Sequence, residues 1–146
     1  MGKEERNERR QNYRHFLTIP TRWMDNDVYG HVNNVTYYSY FDTIVNEFLM
    51  RFAGLDYRAD APVGMVVETG CRFHSEIAFP DRLDVGMRVA RLGNSSVTYE
   101  IAIFREGSDA PSATGHFVHV YVVPGEMKPV PIPGPVRVQL EALTVG

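Results

Sequence analysis

The chain has 146 residues, 44% of them hydrophobic and 23% charged, and a formal net charge of −3. That is enough chain to bury a core within one domain, and the slight acidic excess gives no electrostatic case for nucleic acid as a partner. The single cysteine, Cys71, excludes an internal disulfide and a paired-thiol zinc or redox motif, which fits a reducing, cytoplasmic setting. No apolar run approaches the roughly 20 residues that cross a bilayer, so no membrane partner is expected.

Residues 1–14, MGKEERNERRQNYR, carry dense charge of both signs and lack the apolar core of a signal peptide. They are expected to form a solvated tail ahead of a single domain over 15–146. Residues His15 to Met24 alternate as a strand, with Leu17, Ile19 and Trp23 on one face and Phe16 and Met24 on the other. Pro20 marks that strand as an edge or a bulge. A polar loop follows from Asp25 to Asn34, with Gly30 as its flexible point.

The spacing of Tyr37, Tyr40, Phe41, Ile44, Val45, Phe48, Leu49 and Phe52 predicts the one long helix. Asn33 or Asn34 supplies its N-cap and Gly54 its stop. Four further strands are expected. The first alternates from Val63 to Phe73, with Val63, Met65, Val67, Thr69, Cys71 and Phe73 on its apolar face. The next two run from Leu83 to Ala90 and from Ser96 to Ile103, joined by a hairpin turn at Gly93-Asn94-Ser95. The last, Ala113 to Val123, is apolar on both faces and so belongs at the centre of a sheet or at a subunit contact. The proline-rich stretch from Pro124 to Pro135 reads as an extended loop, and Val136 to Leu143 as a short closing helix. One helix and consecutive hairpin-linked strands imply an α+β fold in which an antiparallel sheet covers the helix. Apolar residues left on its other face, Val66, Val118 and Val120, suggest an oligomer interface.

Chemistry concentrates in the loop, where Asp25, Asp27, His31, Asn33 and Asn34 lead into a helix N-terminus whose first N–H groups have no intrahelical partner. A carboxylate there can attack an activated carbonyl or activate water, and the N–H groups can hold an oxyanion. The positive helix end also favours the ionised carboxylate. The plainer alternative is that Asp25 and Asp27 are turn residues whose carboxylates bond nearby backbone. Asp-x-Asp with His31 fits no standard ligand set, so neither a metal nor another cofactor is expected.

The run Asp25-Asn26-Asp27-Val28-Tyr29-Gly30-His31-Val32-Asn33-Asn34, followed by Tyr37 and Phe41-Asp42, resembles the signature of the 4-hydroxybenzoyl-CoA thioesterase family. The resemblance continues in order over roughly residues 15 to 140, through Arg72-Phe73, Leu92 to Ser96 and Ala113-Thr114-Gly115. It implies the hotdog fold, with a sheet of about five strands wrapped around the central helix. It also implies hydrolysis of an acyl-coenzyme A thioester, with a site built between two subunits of a homodimer or homotetramer.

The family's catalytic aspartate falls on Asp27, and His31 matches the histidine of the acyl-carrier-protein branch. That branch's asparagine position is Tyr29 here, and Asn34 stands where another branch has histidine. The catalytic candidates are therefore Asp27, His31 and Asn34, the last as a shaper of the helix start. The substrate-binding candidates are Tyr37, with Ser95, Ser96 and Arg88 for the coenzyme. Asp42 and Glu47 on the helix are alternative bases. The competing functions are a non-catalytic acyl-CoA or acyl-carrier binding module and an acyl-carrier-protein thioesterase.

Overall fold

The computed structural model describes residues 8–56 and 61–145. Its elements are β1 (His15–Pro20), α1 (Asn34–Phe52), β2 (Val63–Phe73), β3 (Arg82–Leu92), β4 (Ser96–Arg105), β5 (Ala113–Val122) and α2 (Gly134–Glu141). The five strands form one antiparallel sheet in the order β1-β3-β4-β5-β2. The sheet packs around α1, which is the hotdog arrangement.

The helix forms where its sequence places it. Asn33 is the N-cap, its side-chain oxygen accepting from the Val35 N–H at 2.9 Å. Gly54, at φ +68°, takes the left-handed turn that ends it. Tyr37, Tyr40, Phe41, Ile44, Val45, Phe48 and Leu49 are all buried, against Val85, Met87 and Val89 of β3, Val97, Tyr99, Ile101 and Ile103 of β4 and Phe117 of β5. Phe41 sits over Gly115, where a Cβ would lie 2.5 Å from both the Phe41 ring and the Gly70 carbonyl. Gly115→Ala therefore overpacks the core on two sides, and a denaturant titration should show a loss of about 1–3 kcal/mol.

The first strand is shorter than its alternation suggests. It ends at Pro20, and a single 3-10 turn, Trp23–Asp25, follows. That turn breaks the period of two, so Trp23 and Met24 point into solvent, 77% and 74% exposed. The strand β2 also departs from expectation. It is a sheet edge with a register shift between Val66 and Glu68. Because a bulge reverses the alternation, the residues paired on the helix side are Gly64, Val66, Thr69, Cys71 and Phe73, while Val67 is exposed.

Residues 8–14 pack against the sheet face remote from α1. Tyr13 is buried beside Phe104, and the Arg10 guanidinium stacks over that ring while pairing with Asp84 at 2.8 Å. This part of the charged N-terminal stretch covers apolar sheet surface through Tyr13 and through the arginine stems. Residues 1–7 lie outside the described residues. The stretch after β5 runs extended and is fixed by Val130 N–H to the Tyr121 carbonyl and Ile132 N–H to the Asn94 carbonyl. Among the described residues no helix is long and apolar enough to cross a membrane.

Candidate functional site

The loop between β1 and α1 is a small hairpin. Asn26 and Val32 bridge, Asp27 N–H donates to the His31 carbonyl at 2.8 Å, and Asn33 N–H donates to the Asp25 carbonyl at 2.9 Å. Its tip is the turn Asp27–Gly30, closed by Gly30 N–H to the Asp27 carbonyl, with Gly30 at φ +85°. Two bonds anchor the hairpin to the segment before β3: Val32 N–H to the Ile77 carbonyl and Phe79 N–H to the Asn26 side-chain oxygen.

The two acids of the Asp-x-Asp run have different surroundings. Asp25 is 2% exposed. It accepts from the Arg22 backbone N–H and guanidinium and from the Tyr40 hydroxyl, all between 2.9 and 3.1 Å. Burial pushes its carboxyl up, but the Arg22 backbone N–H, the Tyr40 hydroxyl and the Arg22 guanidinium outweigh burial and hold it below the usual carboxylate range. Asp25 thus ties the hairpin base to the helix. Asp27 is half-buried at the turn. Its Oδ1 accepts from the Tyr29 N–H at 2.9 Å, and its Oδ2 has no partner among the described residues.

His31 meets Asp27 through its backbone carbonyl alone; its imidazole Nε2 lies 2.7 Å from the Glu76 carboxylate. Glu76 is a residue that sequence reading missed, since only folding brings position 76 to the loop. Asn34 is the first helical residue and is exposed, so Asn33 rather than Asn34 caps the helix. The cap takes the Val35 N–H and the Asn33 carbonyl takes the Thr36 N–H, whereas the Asn34 N–H has no partner among the described residues.

Tyr37, in the first turns of α1, is buried with its ring 4.8 Å from that of Phe73. Burial and then the neighbouring Cys71 push its phenol up to about 12, against a bond from the Ile77 backbone. Trp23, Met24, Val28, Tyr29 and Val35 surround the hairpin as an exposed apolar patch, with Val28 and Tyr29 at 92% and 81% exposure.

Ser95 and Ser96 are not brought to this loop within one chain. They sit at the β3–β4 turn, about 30 Å away along β3. Arg88 is on the opposite sheet face, bonded to Glu8, Glu100 and the Asn12 carbonyl and stacked 4.5 Å over Tyr13. There it lines a cavity of about 390 Å³ with Tyr13, Arg72, Glu100 and His116. Glu47 is held by His15 at 2.7 Å and by Arg51, and Asp42 accepts from Asn46 on an exposed helix face. Among the described residues no cluster of three or more His, Cys, Asp or Glu side chains could hold a metal ion.

The profile of the thioesterase-like superfamily matches residues 21–140. The chain belongs to that superfamily. Membership makes it a thioester hydrolase of the hotdog type. Its fold is shared with the PA5185 protein of Pseudomonas aeruginosa strain PAO1, 50% identical, at a TM-score of 0.93 over 95% of this chain and 97% of that one. A gentisyl-coenzyme A thioesterase, 23% identical, superposes at 0.76 over 86% and 99%. The dynemicin thioesterase, 19% identical, does so at 0.83 over 90% and 97%. No curated protein matches the chain significantly.

Proposed function

We propose that the thioester this superfamily member hydrolyses is an acyl-coenzyme A, with Asp27 as nucleophile or as base for water. The observation that carries this reading is the Asp27 carboxylate, fixed through Oδ1 at the hairpin tip with Oδ2 uncommitted, in the loop that leads into α1. A thioester carbonyl is activated because sulfur donates into it poorly. The remaining requirement is a donor for the oxyanion, and the Asn34 N–H at the helix start is the first-turn group left for it. His31, paired with Glu76, positions the far side of the hairpin. Asn34 contributes through its backbone.

The reading includes a homodimer. Edge strand β2 presents unpaired backbone groups beside exposed Val66 and Val67, and the apolar patch around the hairpin is of the kind a second subunit covers. A partner would also be the way for Ser95 and Ser96 to reach the coenzyme. The lone Cys71, pushed up to about 12 by burial, is a packed thiol compatible with a cytoplasmic protein.

The test is release of free thiol from short, aromatic and long acyl-coenzyme A thioesters. Turnover with at least one class is expected. Tight binding of the panel without thiol release would instead favour a binding module. Hydrolysis only of the same acyl groups on carrier protein would favour the acyl-carrier-protein reading, which Tyr29 in the asparagine position argues against.

A further inference from the structure

The two strands of the hairpin are held to the fold unequally. The return strand has two ties to the segment before β3, Val32 N–H to the Ile77 carbonyl and His31 to the Glu76 carboxylate. The strand that carries Asp27 is fixed at its base by the Asp25 carboxylate on Arg22 and Tyr40. Beyond that base it has one hydrogen bond to the same segment among the described residues. The half-buried Asn26 accepts from the Phe79 N–H through Oδ1 at 3.0 Å. The tie sits one residue before Asp27. The next bond along, Asp27 N–H to the His31 carbonyl, lies within the hairpin and fixes it to nothing else.

The chemistry of the side chain at this point matters as well as its reach. The Phe79 N–H needs an acceptor oxygen. A carboxylate would accept that bond more strongly, but it would set three carboxylates in succession, at 25, 26 and 27. A like charge beside an acid disfavours its ionised form, and the ionised form of Asp27 is the one that attacks or activates water. An amide supplies the oxygen without the charge.

We propose that Asn26 is a positioning residue for Asp27. Its side-chain oxygen, held on the Phe79 N–H, fixes the strand that presents the carboxylate to the thioester, and its neutrality leaves that carboxylate free to ionise. A displacement of about 1 Å at a reacting group can cost about a hundredfold in rate. Asn26 touches no substrate in this assignment and acts only through its neighbour. The inference rests on the reading of Asp27 as the nucleophile or base.

The experiment compares Asn26→Ala and Asn26→Asp with wild type, using whichever acyl-coenzyme A of the thiol-release panel turns over fastest. Asn26→Ala should lower kcat about tenfold or more with KM within about twofold, measured below the melting temperature. Asn26→Asp keeps an acceptor oxygen, so kcat should return to near the wild-type value at alkaline pH. Its added charge should move the acidic limb of kcat/KM to higher pH by about half a unit. The other charged and titratable groups around the hairpin are Asp25, Arg22 and Tyr40 at its base, His31 and Glu76 on its return strand, Tyr37 on α1 and Asp81, which accepts from the Ala78 N–H. None of them changes in either variant, so the limb reports position 26. A wild-type kcat in Asn26→Ala, a loss that falls on KM, or an Asn26→Asp no faster than Asn26→Ala would each overturn the assignment. Should Asn26→Ala not fold, Asn26→Asp decides alone: retained kcat with a moved limb supports the role, and a lost kcat ends it. Full activity in Asp27→Asn sinks the site reading and this role together, whereas a loss there with an unaffected Asn26→Ala sinks this role alone. If wild type turns over no acyl-coenzyme A, that reading fails by itself and amide exchange decides for Asn26. Faster exchange of the Asp27 N–H in Asn26→Ala, restored in Asn26→Asp, upholds the tie, and unchanged exchange removes it.

Discussion

Asp27→Asn should lower kcat/KM by about 100- to 10,000-fold, the range over which a positioned acid or base contributes, and should leave the fold untouched. The substitution is isosteric. The Asn side-chain oxygen still accepts from the Tyr29 N–H, so the turn Asp27–Gly30 keeps its closing bonds. What disappears is the anionic oxygen that has no partner among the described residues. Thiol-release kinetics should show the loss in kcat with little change in KM, since a group acting on the reacting carbon contributes mainly in the transition state. The melting temperature should match wild type within experimental scatter. A variant that turns over normally would remove Asp27 from the chemistry. A variant that melts early would make it a turn residue, which is the plainer reading of an aspartate two residues before a bonded N–H.

How far the site could be read in advance follows from the range of its contacts. The helix was legible because a 3.6-residue stripe depends only on neighbours three and four positions apart, and every member except Phe52 is buried. The hairpin tip was legible because Asp27, Gly30 and His31 are close in sequence. The roles of Asp25 and His31 were not, since their partners Tyr40 and Glu76 lie 15 and 45 positions on. Strand alternation misled where the backbone leaves the period of two. The 3-10 turn after Pro20 turned Trp23 and Met24 outward, and the β2 bulge moved the helix-facing set from Val67 to Val66. Arg88 illustrates a further limit. Its residue type suits a nucleotide phosphate, but the sheet places it under residues 8–14 with two carboxylates already on it. Nothing in the spacing of the chain says which side of a sheet its N-terminal segment will cover.

Asp25→Asn should do the reverse of Asp27→Asn: cost stability first and rate second. The wild-type carboxylate takes the Arg22 backbone N–H, the Arg22 guanidinium and the Tyr40 hydroxyl in a site that is 2% exposed. The amide keeps one acceptor oxygen and turns an N–H₂ toward donors. Losing charge-assisted bonds of this kind costs about 2–3 kcal/mol, which is about 5–10 °C in melting temperature for a chain of this size. The effect has a pH signature. A carboxyl held below its unfolded value contributes stability in full above about pH 4 and loses it as pH falls through the folded value. The stability gap between wild type and Asp25→Asn should therefore be constant near neutrality and narrow below about pH 4, as measured by denaturant unfolding at stepped pH. A gap that stays constant down to pH 2 would assign the loss to packing and not to the carboxylate. The Asn33 N–H to Asp25 carbonyl bond is backbone and survives the substitution, so the helix cap remains in register and the residual enzyme should keep most of its rate at temperatures where it is folded.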